Sequence, residues 1–483
     1  MRKLLLWAAT AAVAAVAAGC TTEKENLQYV RTDTALCTFL AEGNAPLTVK
    51  VEASGNWEAT PQATWIKVGD LTATSFTLTV EDNESYTDPR ESSIELTCGE
   101  AVQEIKVIQL QRDNDGAVYQ MYAAYDMGAA MSPSGRYCVG TRHVLQPDNT
   151  YFMYPTFHNL DTGEITEIGP LLYGSPLSLE KPIAVTDQGT AFIYGPDNHT
   201  VAITVDGDYF IPESPAGYDS PNISAVSEDG KIWVGYCWGE AMQCSPVIWR
   251  DGVPELLEKP ELDYRGVKVP NQVMARGMSL DGSVIYGTQW EFTDTGMIYW
   301  KDGKLQNVGK DIFKLTPVSA SNGTGGTYET NLIEAGMYCF AETRNISPNG
   351  KWIAGKYREE SMDENGLITK GTTYPAFYNT ETETTTVMRD YPDCSAVTAT
   401  NDGLGIIGDG TTMMSTGKVV EIESGAYLGT CIEYIQEQWG ITVSTGYISY
   451  IPASGDRCLG TMMTTSALGV SFTQFSVSPR PVK

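Results

Sequence analysis

The chain has 483 residues and a formal net charge of −28, from 32 Lys+Arg against 60 Asp+Glu. That balance excludes nucleic acid and a polybasic membrane patch, both of which need clustered Lys/Arg. Only His143, His158 and His199 are available, which weighs against a multi-His metal site, and no cofactor is expected. With 42% hydrophobic residues and 10 Trp, the chain can bury a large core; at ~100–200 residues per domain its length suits two or three domains, or one small domain beside a repeat array.

Met1-Arg2-Lys3 is followed by an apolar or small-residue run from Leu4 to Ala18, then Gly19-Cys20. This reads as a secretory signal over residues 1–19, too short to span a bilayer. Ala17-Ala18-Gly19-Cys20 resembles a bacterial lipobox, departing from it at Ala17, where leucine is usual. The resemblance implies acylation of Cys20 and membrane attachment through lipid alone. The alternative is simple cleavage near Ala18. Residues 20–32 are expected to form a lipidated tether. Its stretch Thr21-Thr-Glu-Lys-Glu-Asn26 is similar to the surface-export signals of Bacteroidetes lipoproteins. The expected location is the outer membrane, facing the cell surface or, alternatively, the periplasm.

Export permits disulfides. Cys237 and Cys244 are the closest pair in sequence, flanking Trp238 to Gln243, and a bridge is expected there. A Cys37–Cys98 bridge is a second expectation.

From 33 to 112 the pattern alternates with period two, in Leu47–Val51, Phe76–Val80, Ile94–Thr97 and Ile105–Ile108, with turn residues between. Trp57, Trp65-Ile66, Asn83, Arg90, Ile94 and the closing Ile105–Gln109 resemble the BACON domain of Bacteroidetes surface proteins. The resemblance implies an immunoglobulin-like β-sandwich proposed to bind carbohydrate. The tryptophans read first as sandwich core and second as platforms for pyranose rings.

Over 117–483 a motif recurs: Ser-x-(Asp/Asn/Ser)-Gly, four residues, then Gly. Its copies begin at Ser132, Ser227, Ser279, Ser347 and Thr400, with a degenerate one at Pro452; Thr186 starts a copy with one extra residue. The Asp or Asn bonds its own backbone and Gly takes positive φ, so each copy is a tight turn between short strands. At roughly 52 residues per copy, each unit offers about four antiparallel strands. The expected fold class is all-β: the sandwich followed by a β-propeller of seven blades, within a range of six to eight. The motif resembles WD40-like extracellular propeller repeats, without their Trp-Asp dipeptide.

Ser227-Glu-Asp-Gly230 lacks the residue that a sialidase Asp box places between Asp and Gly, and no nucleophile elbow or HExxH motif occurs. No catalytic residue is nominated. The face opposite the turns holds the slot before the first strand of each copy (Arg276, Arg344) and the slot past the second glycine (Arg142, His143, Trp238, Trp290, Tyr357, Arg358). Guanidinium forks suit carboxylates and aromatic rings suit sugar faces. The rim therefore reads as a glycan site, or alternatively as arginines paired with Asp/Glu and aromatics packed between blades. The leading expectation is a surface lipoprotein that binds a glycan or a protein without catalysis. The others are a propeller glycosidase or lyase with channel carboxylates, and a protein-binding scaffold of an outer-membrane uptake complex.

Overall fold

The computed structural model describes residues 28–34, 36–85, 89–112, 118–125, 129–145, 151–169, 171–173, 181–195, 199–291, 294–339, 346–409, 416–443, 446–466 and 469–481. The signal segment, Cys20 and Arg344 lie outside them. The fold is nearly all-β, and packing divides it into two compact units: Met1–Asp82 with Glu91–Ile108, and Asn83–Arg90 with Gln109–Lys483. Among the described residues no helix is long and apolar enough to cross a membrane.

The first unit contains two four-stranded sheets. One runs in the order Val30–Thr32, Leu47–Ala53, Ser75–Val80, Ile66–Gly69; the other runs Leu36–Phe39, Ala101–Gln109, Arg90–Cys98, Glu58–Pro61. Period-two patterning turns Val49, Val51, Phe76 and Leu78 of one sheet, and Ile94, Leu96, Ile105 and Val107 of the other, into one core. Trp57 belongs to that core: it is buried, stands 6.0 Å from Phe76, and donates its indole N–H to the Ala73 carbonyl at 3.0 Å. Trp65 packs partly buried against the same cluster. Two expectations are corrected here. Val30–Thr32 is not tether but an edge strand paired with Val51–Ala53. Cys37 and Cys98 are not bridged to each other, because strand Ala101–Gln109 lies between theirs. Two strand spacings amount to about 10 Å, beyond disulfide reach.

The second unit is a propeller-like succession of antiparallel sheets. Four-stranded sheets of strands in chain order run Pro182–Phe210, Asp219–Leu256 and Cys394–Thr430, and Ala129–Glu167 forms another with Leu171–Tyr173 beside it. A nine-stranded sheet holds the Ser279 and Ser347 copies together. They are joined because strand Thr327–Cys339 pairs with both Asp294–Lys301 and Trp352–Met362. The hairpin Lys314–Ser321/Thr327–Cys339 fills the longest gap between motif glycines, from Gly282 to Gly350. In the last copy, Gly446–Tyr450, Cys458–Ser466 and Gly469–Pro479 take their outermost strand from Tyr119–Tyr125, at the other end of the unit.

The motif chemistry explains why these units repeat. Ser227 Oγ donates to Asp229 Oδ1 (2.7 Å) and accepts from Ile232 N (3.0 Å), while Asp229 Oδ1 accepts from Lys231 N (3.0 Å). The same pattern recurs at Ser279–Asp281 and Ser347–Asn349. The serine is buried in each, so its hydroxyl has to be satisfied locally. The second glycine has a different cause. An added Cβ at Gly235 would overlap the Asn222 carbonyl oxygen, and one at Gly287 would overlap the Met274 carbonyl oxygen. The innermost strand bulges here, with register shifts around Ser224, Arg276, Val397 and Ser449.

Successive turns touch one another. Ser134 Oγ donates to Asp187 Oδ1 (2.6 Å), Glu228 N to the Leu280 carbonyl (2.9 Å), and Leu280 N to the Pro348 carbonyl (2.8 Å). Arg457, in the last copy, donates to the Gly135 carbonyl in the first (2.9 Å) and pairs with Asp161 (3.0 Å).

The α-helix Cys431–Trp439 departs from the all-β expectation. Thr430 and Glu433 form a capping box, Gly440 closes the helix in the left-handed region, and Cys431, Ile435 and Trp439 are buried at a spacing of four. Thr430-x-x-Glu433 is its sequence signature.

Candidate functional site

The site is built where the bulged inner strand of the Ser279 copy faces the second strand of the Ser227 copy. Arg276 is the extra residue of its bulge, between Ala275, which pairs with Gly287, and Gly277, which pairs with Tyr286. Its Nε donates to Thr288 Oγ1 (3.3 Å) and its Nη2 to the Met274 thioether (2.8 Å). Its guanidinium stands 5.4 Å from the centre of the Tyr236 ring. Tyr236 is set one residue past Gly235, and Trp238, two further along, falls on the same face of the strand. Their rings meet edge to face at 6.0 Å and 83°. Arg276 and Trp238 are half-buried. Burial pushes the Tyr236 phenol up, with Arg276 opposing it.

Two polar groups complete the surroundings. Asp219 is exposed and stands opposite Trp238 in the ladder. Gln289 pairs with Val273, whose side chain packs in one cluster with Val234 of the Ser227 copy, so this face of the strand is turned toward that copy. Gln289 is 1% exposed, and its side-chain carbonyl accepts no hydrogen bond from the described residues.

The remaining expected site residues are placed differently. Arg142 and His143 lie in strand Tyr137–Leu145, opposite Tyr154 and Met153, and Trp290 lies in Val284–Glu291, opposite Thr295. Their side chains are outside the described residues, as is Arg344 altogether. Tyr357 and Arg358 are buried and, as neighbours in one strand, turn to opposite faces. Tyr357 bonds Glu359 and accepts from Arg389 Nη2 (3.2 Å). Arg358 stacks 4.4 Å from the Tyr338 ring centre and stands 3.7 Å from Glu360. Spacing grouped these two residues with the rim; Tyr357 bonds the exposed pair Glu359 and Arg389, and Arg358 belongs to a buried network.

The Arg358 network has a centre that spacing could not show. Arg265 grips Glu360 with both arms of its fork (2.9 and 2.8 Å), and Ile333 N donates to the same carboxylate (3.0 Å). The Glu360 side chain is fully buried. Burial, with Glu360 nearby, pushes the Tyr338 phenol well up. This cluster ties the loop around Arg265 and the inserted hairpin to strand Trp352–Met362.

The expected Cys237–Cys244 bridge is corrected: both thiols are free. Cys237 pairs with Ser245 and Cys244 with Trp238, so the pleat sends the two sulfurs to opposite faces. Cys237 Sγ approaches Ser214 Oγ at 3.8 Å, and Cys244 Sγ the Val273 carbonyl at 3.7 Å. Burial pushes each thiol up to about 12.

A cavity of about 60 Å³ lies among the innermost strands. Among the described residues it is lined by Met131, Ile183, Val185, Val226, Met278, Leu280 and Ile346 with smaller neighbours and Tyr450, and by no carboxylate. No group of His, Cys, Asp and Glu able to hold a metal occurs among the described residues.

No curated protein matches the sequence. Among solved structures the chain is similar to one from a study of two prolyl endopeptidases (11% identity, 88% of this chain and 55% of that one, TM-score 0.37). It is also similar to YCF48 bound to D1 peptide (10%, 76% and 99%, 0.36) and to TolB from Acinetobacter baumannii (10%, 77% and 78%, 0.29). Residues 55–110 match the BACON family, whose description reads "Putative binding domain, N-terminal".

Proposed function

We propose that the chain is a lipid-anchored, cell-surface binding protein of a Bacteroidetes-like bacterium. Its first unit is an immunoglobulin-like BACON module and its second a seven-bladed propeller that binds glycan without catalysis. The blade count rests on the seven turn copies and on the outermost strand that Tyr119–Tyr125 lends to the last of them. The observation that carries the binding reading is the grouping of Arg276, Tyr236 and Trp238 on the face away from the turns. An aromatic face offers area to the C–H face of a sugar, and a guanidinium offers paired N–H donors.

The uptake-complex scaffold is the second reading, because exposed apolar side chains such as Ile165, Tyr209, Phe210, Val253, Leu256, Tyr427 and Leu428 lie on outer strands. The test is a glycan array probed with the full chain in detergent, with an activity screen on every glycan retained. Retention without cleavage supports the proposal, and an array with no retained glycan overturns it.

A further inference from the structure

Resting on the glycan-binding reading, we infer that Arg276 anchors a sugar carboxylate, so that the ligand is an acidic glycan. The charge pattern of the unit points there first. Arg136, Arg250, Arg265, Arg358, Arg389 and Arg457 are each ion-paired with an Asp or Glu. Arg276 has no carboxylate partner among the described residues, in a chain with 60 acidic residues to choose from.

A half-buried cation is costly without a counter-charge. Among the described residues the groups that Arg276 meets are weak substitutes: the Thr288 hydroxyl, the Met274 thioether, and the phenol and ring of Tyr236. A thioether is a poor acceptor, and a ring face compensates only part of the desolvation. A carboxylate on the planar fork satisfies two parallel N–H groups at once and restores charge balance.

The surroundings favour a sugar as the carrier of that carboxylate. Trp238 and Tyr236 supply aromatic surface beside the guanidinium, with their rings set edge to face at 6.0 Å. An extended acidic peptide would need an open strand edge for its own backbone groups. The strands here are already paired: Ile232–Trp238 between Asp219–Val226 and Cys244–Arg250, and Val284–Glu291 between Val273–Met278 and Asp294–Lys301.

The test is titration calorimetry of the full chain in detergent against uronate- and sialate-bearing oligosaccharides, each compared with its carboxyl-reduced counterpart. The expected result is at least ten-fold tighter binding of one acidic class. That preference should be lost in Arg276→Gln and partly kept in Arg276→Lys, with unchanged circular dichroism. The comparison of acidic with reduced sugars uses the unaltered chain, so it does not depend on either variant folding. Equal binding of acidic and reduced forms, or an acidic preference that survives Arg276→Gln, overturns the inference and leaves glycan binding standing. No binding of any acidic or neutral sugar overturns both. Equally tight, Arg276-dependent binding of poly-glutamate overturns the inference in favour of a protein partner.

Discussion

Arg276 turns its guanidinium to the ring of Tyr236, 5.4 Å away in the neighbouring repeat, and no described carboxylate reaches it. Arg265 is the opposite case. Its fork closes on a fully buried Glu360 95 positions away in the chain. Arg265 fastens the fold, whereas Arg276 is the cation that the proposed binding assigns to a ligand, and their substitutions should separate accordingly.

Arg265→Ala leaves Glu360 buried without its main partner, which costs about 3–5 kcal/mol. Arg276→Gln removes a charge that pairs with no described acid and should change stability by under about 1 kcal/mol. Chemical denaturation of the two variants side by side checks this. Equal losses would contradict the distinction.

Gly235→Ala forces a Cβ onto the Asn222 carbonyl, whereas Gly303→Ala enters open space and meets only the strain of a φ of +72°. The first substitution should cost about 1–3 kcal/mol from overpacking and the second about 1 kcal/mol. Thermal unfolding should therefore show the lower midpoint for Gly235→Ala. The reverse order would mean that the bulge does not demand its glycine.

Cys237 and Cys244 should both be alkylated when the chain is unfolded without reductant, as read by intact mass. In the folded protein neither should react at pH 8, because burial holds each thiol near 12 and the thiolate is the reactive form. A mass two hydrogens short for this pair would restore the bridge.

His158 lies edge-on to Tyr122 at 5.6 Å, and burial brings its pKa down from 6.5 to about 4. Between those values the unfolded chain binds a proton that the folded chain refuses. Stability is therefore full above pH 6.5 and falls as pH drops toward 4. His158→Asn should flatten that part of a stability–pH curve, and an unchanged slope would assign the acid loss to other groups.

Cys20→Ser should abolish incorporation of labelled fatty acid and move the chain from the membrane to the soluble fraction. Labelling that persists would contradict lipidation at this residue.

Much of the repeat unit was legible because its chemistry is local. Ser227, Asp229 and Gly230 satisfy one another within a few residues, so spacing alone reveals the turn. The outer strand Tyr119–Tyr125 was not legible as part of the last sheet, since its partner Gly469–Pro479 lies at the far end of the chain. The Arg265–Glu360 pair was hidden for the same reason. The expected bridge between Cys237 and Cys244 failed on the pleat: seven residues apart in sequence, the two thiols belong to opposite faces. At the rim, slot positions singled out Arg276 and Trp238 but passed over Tyr236, whose ring stands 5.4 Å from the Arg276 guanidinium and 6.0 Å from the Trp238 ring. Its position one residue past the second glycine was the signal available.

The most direct test of the account is one incubation, with the full chain and Trp238→Ala compared on every glycan that the array retains, followed by mass spectrometry for cleavage products. The account predicts retention of intact glycan by the full chain and at least ten-fold weaker retention by Trp238→Ala. Release of shorter sugars, or equal retention by both proteins, would contradict it.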